Sequence, residues 1–363
     1  MKIAIVLPDL RGGGVERIRL VLAKEFFRAG HTVEFLLMQA RGELLDEAKQ
    51  MFSVVDLKCP RARKLPLSLA RYLRQRRPDA LLVGMWSLTV LAPFAVLLSR
   101  HSCRVIVSEH NSLSIQYGAW GWAHRIALRI SMSIGYRLAD AKVGVSEGVV
   151  NDIARLSALN RDAFTLIHNP VPPPENPDYN DLRRVENLWE STIGARIVTV
   201  GSLKTQKNHR LLLHAFAKLD RGNKRLMLVG DGPGRHDLQR LAEKLSIAEQ
   251  VIFTGFQHDP TPFYMTADLF VLSSDYEGFG NVIVEALSCG TPVVSTDCPS
   301  GPAEILENGR WGLLTPVGDA VALAEAMNEG LNTSWDTELL RQRASHFSPD
   351  VAARKYLELF DPL

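Results

Sequence analysis

The chain is poor in the devices that hold small extracellular folds together. Its four cysteines, Cys59, Cys103, Cys289 and Cys298, are scattered through 363 residues without the paired spacing of a metal site or a disulfide framework. Each lies in or beside an apolar run, where reduced thiols are commonly buried, and this points to a reducing compartment. The sequence lacks a His/Cys cluster, and no Asp-x-Asp pair follows a strand-like run to hold a divalent cation. It also lacks low-complexity tracts and short repeats. With 46% hydrophobic and 23% charged residues, the disordered and fibrous classes are excluded. The first apolar run breaks at Pro8 and Asp9, too short for a secretory leader, and reads as a first strand. Charge is missing from Ala80 to Ser99, a stretch long enough to span a bilayer. Gly84, Ser87, Thr89 and Pro93 interrupt it, so it reads as a strand, Ala80–Gly84, and a buried helix, Ser87–Leu98.

What is present is unevenly charged. The net charge of +2 combines 24 Lys+Arg against 14 Asp+Glu in residues 1–170 with 18 against 26 in the rest. A basic half joined to an acidic half suggests that the first half meets something anionic, a nucleic acid or a membrane surface; drift of surface charge between domains gives the same pattern.

Short apolar runs alternate with amphipathic stretches along the whole chain. Strands are expected at Lys2–Leu7, His31–Met38, Ser53–Leu57, Ala80–Gly84, Arg104–Ser108, Ala141–Val145 and Phe164–Ile167. Helices such as Val15–Ala29, Leu67–Arg76 and Trp122–Leu138 lie between them. A Pro- and Asn-dense segment from His168 to Glu190 cannot continue a sheet and marks a boundary. A second alternation occupies Ile197–Gly201, Arg225–Gly230, Val251–Gly255, Asp268–Ser273, Pro292–Thr296 and Gly312–Thr315. The expected fold is α/β, with two doubly wound, Rossmann-like domains: 1–170, a linker 171–190, and 191–348. Ligands of such sheets bind beyond the carboxyl ends of the strands, and two sheets suggest a cleft site.

One segment carries most of the chemistry. A strand ends at Ser273, a glycine-containing loop Glu277-Gly278-Phe279-Gly280 comes next, and a helix starts near Asn281 and stops at Gly290. Free N–H groups at a helix start, approached by flexible backbone, suit a diphosphate. Glu277 at the loop mouth and Glu285, one turn into the helix, are spaced to accept paired hydrogen bonds from two sets of vicinal hydroxyls, a hexose and a ribose.

This segment resembles the E-x7-E motif of the retaining GT-B glycosyltransferases of family four, and Asp297–Glu304 resembles the stretch that comes after the motif in that family. The resemblance extends over nearly the whole chain and is strong in 196–316. It implies a GT-B fold and a nucleotide-diphosphate sugar as donor, uridine first and guanosine second. Glu277 would contact the donor sugar and Glu285 the ribose, while the amides of Gly278, Phe279, Gly280, Asn281 and Val282 hold the diphosphate. It also implies that the glycine loop with Gly13 and Gly14 closes over donor phosphate and acceptor, and that residues 349–363 pack back on the first domain.

Val200–Asn208 resembles the family's G-R-L-x-x-x-K segment, so Lys207 would neutralise the departing diphosphate. Ser202 stands where the family usually has Arg, and Lys204 reads as a solvated lysine. The turn at Gly230 and the segment around Phe256 would shape the nucleotide pocket; Phe256 alone reads equally well as core. A lone histidine after a strand is more often structural than catalytic, but the resemblance sets His110 beside the donor sugar with Asn111 as neighbour. His110, Lys207 and Glu277 are thus the expected catalytic set, without metal or cofactor.

The acceptor is expected to be a glycan or lipid-linked glycan of cell-surface polysaccharide or lipopolysaccharide synthesis. Arg61, Arg63, Lys64, Arg71, Arg74, Arg76 and Arg77, together with Trp120, Trp122, Arg125 and Arg129, suit peripheral contact with an anionic membrane on its cytoplasmic side. A solvated helix flank is the plain alternative. Two other classes rank lower. Epimerases and phosphorylases of this shape lack the two-glutamate arrangement in this form, and a nucleic-acid binder would need a reading module that is absent.

Overall fold

The computed structural model describes residues 1–190, 194–219 and 222–361. The chain forms two compact units, Met1–Pro170 with Pro349–Leu363, and Val171–Ser348.

Unit 1 is built on strands β1 (Lys2–Leu7), β2 (Thr32–Leu37), β3 (Ser53–Asp56), β4 (Ala80–Gly84), β5 (Arg104–Glu109), β6 (Ala141–Gly144) and β7 (Thr165–Leu166). They form one parallel sheet ordered β3-β2-β1-β4-β5-β6-β7. Ile3 to Leu7 are wholly buried, as expected of a parallel strand covered on both faces. The uncharged stretch divides into β4 and the helix Leu88–Ser99, and no described helix is long and apolar enough to cross a membrane.

The last helix, Pro349–Phe360, belongs to unit 1. Its Tyr356 and Phe360 meet Phe26 edge-on, with ring centroids 6.5 and 5.5 Å apart. Burying an aromatic ring of this size contributes about 1.5–3 kcal/mol, so these rings anchor the returning chain firmly.

Unit 2 carries β8 (Ala195–Val200), β9 (Lys224–Val229), β10 (Val251–Gly255), β11 (Leu269–Leu272), β12 (Val293–Thr296) and β13 (Leu313–Thr315). This sheet is also parallel, ordered β10-β9-β8-β11-β12-β13. Its core joins Ile197, Leu228 and Val271 to Leu212 and Phe216 on one helix and Leu323 and Met327 on another. Strand order reverses between β1 and β4 in unit 1 and between β8 and β11 in unit 2, which is where such sheets bind ligands.

The segment 171–190 departs from its reading as a linker. Residues Tyr179–Leu188 form a helix with Asp178 as N-cap, Val185 and Trp189 are fully buried, and the Trp189 indole donates to Thr266 Oγ1 at 3.0 Å. The proline-dense run begins where the two units divide, and Val185 and Trp189 give its polar continuation an apolar edge that unit 2 buries. Residues 191, at the expected start of the second domain, and 363, at the expected end of the last helix, lie outside the described residues.

Candidate active site

The residues expected to hold a donor in unit 2 gather at the carboxyl ends of β8, β9, β10 and β11. Because β8 and β11 are neighbours, the loops that leave them run side by side. The loops are joined by hydrogen bonds: Ser273 Oγ donates to the Lys207 carbonyl at 2.9 Å, Gln206 Nε2 to the Tyr276 carbonyl at 2.8 Å, and Asn208 Nδ2 to Asp275 Oδ1 at 2.7 Å. Asn208 also caps the next helix, His209–Lys218, by accepting from Leu211 N–H. Lys207 is therefore held in place from both sides.

Lys207 Nζ donates to Glu277 Oε1 at 2.7 Å, and Ser274 Oγ donates to the same oxygen at 2.6 Å. Glu277 is 6% exposed. A lysine and a carboxylate largely removed from water attract more strongly than a surface pair. Ser202 and Lys204 are both exposed beside this pair. Partial burial of the Lys204 ammonium and the Lys207 charge draw its pKa down, with Glu277 opposing. Lys204 is thus solvent-exposed, as the sequence reading has it, and is also a second cation within electrostatic reach of Lys207 and Glu277.

After Glu277 the chain turns into the helix Asn281–Ser288 through Gly280, whose φ of 100° is left-handed. A β-carbon is strained there, which accounts for glycine at this step. Gly278, Phe279 and Gly280 are buried, Asn281 and Val282 partly exposed. Phe279 packs edge-on against Phe347, centroids 5.4 Å apart, and its carbonyl lies against Gly301. Glu285, partly exposed, accepts from the Tyr264 hydroxyl at 2.9 Å. Sequence reading found Glu285 but missed Tyr264 and Ser274, which fix the two carboxylates; neither is set apart from its neighbours by composition or period.

The Gly230 N–H donates to the Gly255 carbonyl at 2.9 Å, tying the turns after β9 and β10 together. Phe256, one residue further, is 53% exposed with its ring 5.1 Å from that of His258. The core alternative for Phe256 is therefore set aside.

Unit 1 places its candidates on separate features. Gly13 and Gly14 are exposed at the start of the helix Gly14–Arg28. The loop before them is pinned by buried Asp9, paired with Arg11 at 2.8 Å and Arg41 at 3.3 Å. The pKa of Glu16, on the first turn, is raised chiefly by burial. His110 follows β5 and is buried, and Asn111 beside it is partly exposed. Both ring nitrogens of His110 have protein partners: Nε2 meets Arg19 Nη2 at 3.0 Å and Ser108 Oγ at 3.2 Å, and Nδ1 meets Asn169 Oδ1 at 3.2 Å. Burial and the Arg19 charge hold its pKa well below the ordinary histidine value. Neighbouring Glu109 accepts from Thr89 and Tyr136 hydroxyls and Trp86 N–H, and burial pushes its carboxyl up to about 7.

The helix Trp122–Gly135 exposes Trp122, Ile126, Ile130 and Ile134 at four-residue spacing, with Arg125 and Arg129 exposed alongside. Residues at this spacing share one face, so the stripe is apolar with a basic flank.

Two family models match the chain: Glycosyltransferase Family 4 over residues 12–174 and Glycosyl transferases group 1 over residues 194–333. A Campylobacter jejuni N-acetylgalactosamine-N,N'-diacetylbacillosaminyl-diphospho-undecaprenol 4-alpha-N-acetylgalactosaminyltransferase is 27% identical over 242 residues, 66% of this chain and 62% of that protein. The chain thus spans less than two thirds of that relative's length. The lipopolysaccharide 1,6-galactosyltransferase of Escherichia coli K12 is 24% identical over 344 residues, covering 91% of this chain and 89% of its own. Among solved structures, Anabaena Alr3699/HepE in complex with UDP-glucose superposes with a TM-score of 0.83 at 21% identity, over 99% of this chain and 98% of that one.

Proposed function

Because this chain has the GT-B fold and belongs to the group 1 and family 4 glycosyltransferases, we propose that it moves a hexose or N-acetylhexosamine from a UDP-sugar to a glycan or lipid-linked acceptor, with retention of configuration, in cell-surface polysaccharide or lipopolysaccharide synthesis. The observation that carries this reading is the Lys207–Glu277 pair at the mouth of the Gly278–Gly280 loop. An ammonium and a helix start face the place where a diphosphate would gain charge on leaving, and a fixed carboxylate stands beside them for the sugar hydroxyls. Glu285, steadied by Tyr264, takes the ribose, and exposed Phe256 lies flat against the base.

In this account the acceptor hydroxyl attacks the anomeric carbon on the face from which the diphosphate departs. The C–O bond to the phosphate breaks, the new glycosidic bond forms, and a phosphate oxygen takes the hydroxyl proton. The transition state has oxocarbenium character. Lys207, with Lys204 in the role left open by Ser202, stabilises the leaving group without a metal. The test is incubation with UDP-glucose or UDP-N-acetylglucosamine and lipid-linked acceptor, reading UDP release and product anomer by NMR. An α product from the α donor supports the reading; a β product removes retention.

For the acceptor, the stripe Trp122–Ile134 with Arg125 and Arg129 supports peripheral contact with the cytoplasmic face of an anionic membrane. Co-sedimentation with phosphatidylglycerol vesicles should fall when Arg125 and Arg129 are both changed to Glu. Binding indifferent to anionic lipid would remove the membrane contact.

A further inference from the structure

Arg19 is a charge that the proposed reaction does not use. It lies on the inward face of the helix Gly14–Arg28 and has no exposed surface. An arginine stays protonated, and burying it is costly unless its donors are met. Among the described residues it makes no ion pair. Its Nη2 instead donates to Ser108 Oγ and to His110 Nε2, the latter at 3.0 Å. Nε and Nη1 are buried without hydrogen-bond partners.

The surroundings keep it there. A β-carbon on Gly84 would stand 3.1 Å from Nη2, so the glycine leaves the guanidinium room that a larger residue would crowd. On another side the guanidinium carbon is 5.7 Å from the Tyr356 ring centroid, a cation–π approach that partly offsets the missing carboxylate. Glu109, which feels the Arg19 charge, spends its oxygens on Thr89, Tyr136 and Trp86 N–H.

A guanidinium has donors only. Wherever it meets a histidine nitrogen, that nitrogen must offer a lone pair. Nε2 of His110 is then unprotonated, the ring proton sits on Nδ1, and Nδ1–H donates to Asn169 Oδ1. The two contacts demand the same tautomer.

We infer that Arg19 is a positioning residue that locks His110 as the neutral Nδ1–H tautomer and withholds its Nε2 from proton transfer. Its effect on catalysis rests on the proposed transferase reading, in which His110 lies beside the donor sugar. The locked ring contributes shape and polarity there but takes no proton from the acceptor. That proton is left to the departing diphosphate. Burial and the Arg19 charge act in the same direction, both disfavouring imidazolium. Three charged or titratable groups surround this ring: Arg19 from the first helix, Glu109 from β5 and Tyr356 from the last helix. Burial brings the Glu109 carboxyl to about 7, so an activity profile alone would confuse it with His110.

The direct test is a long-range ¹H–¹⁵N correlation spectrum of the whole histidine-labelled protein, with His110 assigned through His110→Gln. The expected wild-type result is an Nδ1–H ring that does not titrate from about pH 5.5 to 8. In Arg19→Met, the ring should gain Nε2–H population, and its pKa should rise as the cation is lost, while burial still holds it below the ordinary value. Arg19→Lys, which keeps a donor and the charge, should hold the wild-type tautomer. An Nε2–H ring in the wild type, or an unchanged ring in Arg19→Met, would overturn the inference. If Arg19→Met does not fold, the wild-type tautomer and Arg19→Lys still decide it. The spectra need no turnover, so absence of transferase activity would sink the proposed function and leave this inference standing.

Discussion

Lys207→Ala should lower turnover about 10²–10³-fold, the usual cost of removing one preorganised donor to a developing negative charge. The reason lies in how little freedom the side chain has. Its Nζ is 2.7 Å from Glu277 Oε1, and its stem lies over Gly201, with Cε 3.5 Å from where a β-carbon on that glycine would stand. An ammonium fixed in advance stabilises the leaving diphosphate without reorganising during the reaction, and that benefit is greatest in the transition state. Donor affinity should consequently change much less than kcat. Lys207→Arg should recover only part of the loss, because a planar fork does not reproduce a point charge in this space. Equal losses in kcat and donor affinity would mean that Lys207 binds the ground state and transition state alike, against the mechanism. Glu277 keeps its bond from Ser274 in the variant, so the fold should survive and the kinetic result remain interpretable.

Gly301→Ala should be the most damaging single-methyl change in unit 2. Gly301 has φ of 100°, and a β-carbon there would sit 1.7 Å from the Phe279 carbonyl oxygen, a distance no packing tolerates. Left-handed strain alone costs about 1–3 kcal/mol, and the overlap forces the Glu277–Gly280 loop to move as well. A loss of about 3 kcal/mol corresponds to a midpoint lower by roughly 6–12 °C for a unit of this size. Nucleotide binding should be lost with it, since the loop that moves is the one proposed to hold the diphosphate. Calorimetry with and without nucleotide would read both effects. A variant with unchanged midpoint and unchanged nucleotide affinity would mean that the Gly301–Phe279 approach does not shape the site.

The fold was largely legible because parallel strands covered on both faces are nearly continuous apolar runs. Ala80–Gly84 and Val251–Gly255 end in the structure where those runs end. Glycine at the loop after β11 was legible for a related reason: Gly280 occupies a conformation other residues adopt at a cost. What escaped was anything set by three-dimensional proximity alone. Tyr264 meets Glu285, and Ser274 meets Glu277, through the lateral order of strands and loops, which no local pattern carries. Arg19 did leave a trace. It shares the inward helical face with Val15, Leu22 and Phe26, and a charge at that phase of an apolar stripe marks a buried cation that needs a partner. The segment 171–190 misled because its prolines are real boundary signals, while Val185 and Trp189, enough to seat a helix, are only two residues among many polar ones.

The central claim is that unit 2 holds a nucleoside diphosphate between the Gly278–Gly280 loop and Glu285. A thermal-shift panel of UDP, GDP, ADP and TDP on the wild type and on Glu285→Ala tests it most directly. At 100 times its dissociation constant a ligand stabilises by about 2.7 kcal/mol, enough to raise the midpoint by roughly 5–10 °C. The account predicts such a rise with UDP and its loss in Glu285→Ala. No rise with any of the four nucleotides, or a rise that the variant keeps in full, would contradict it.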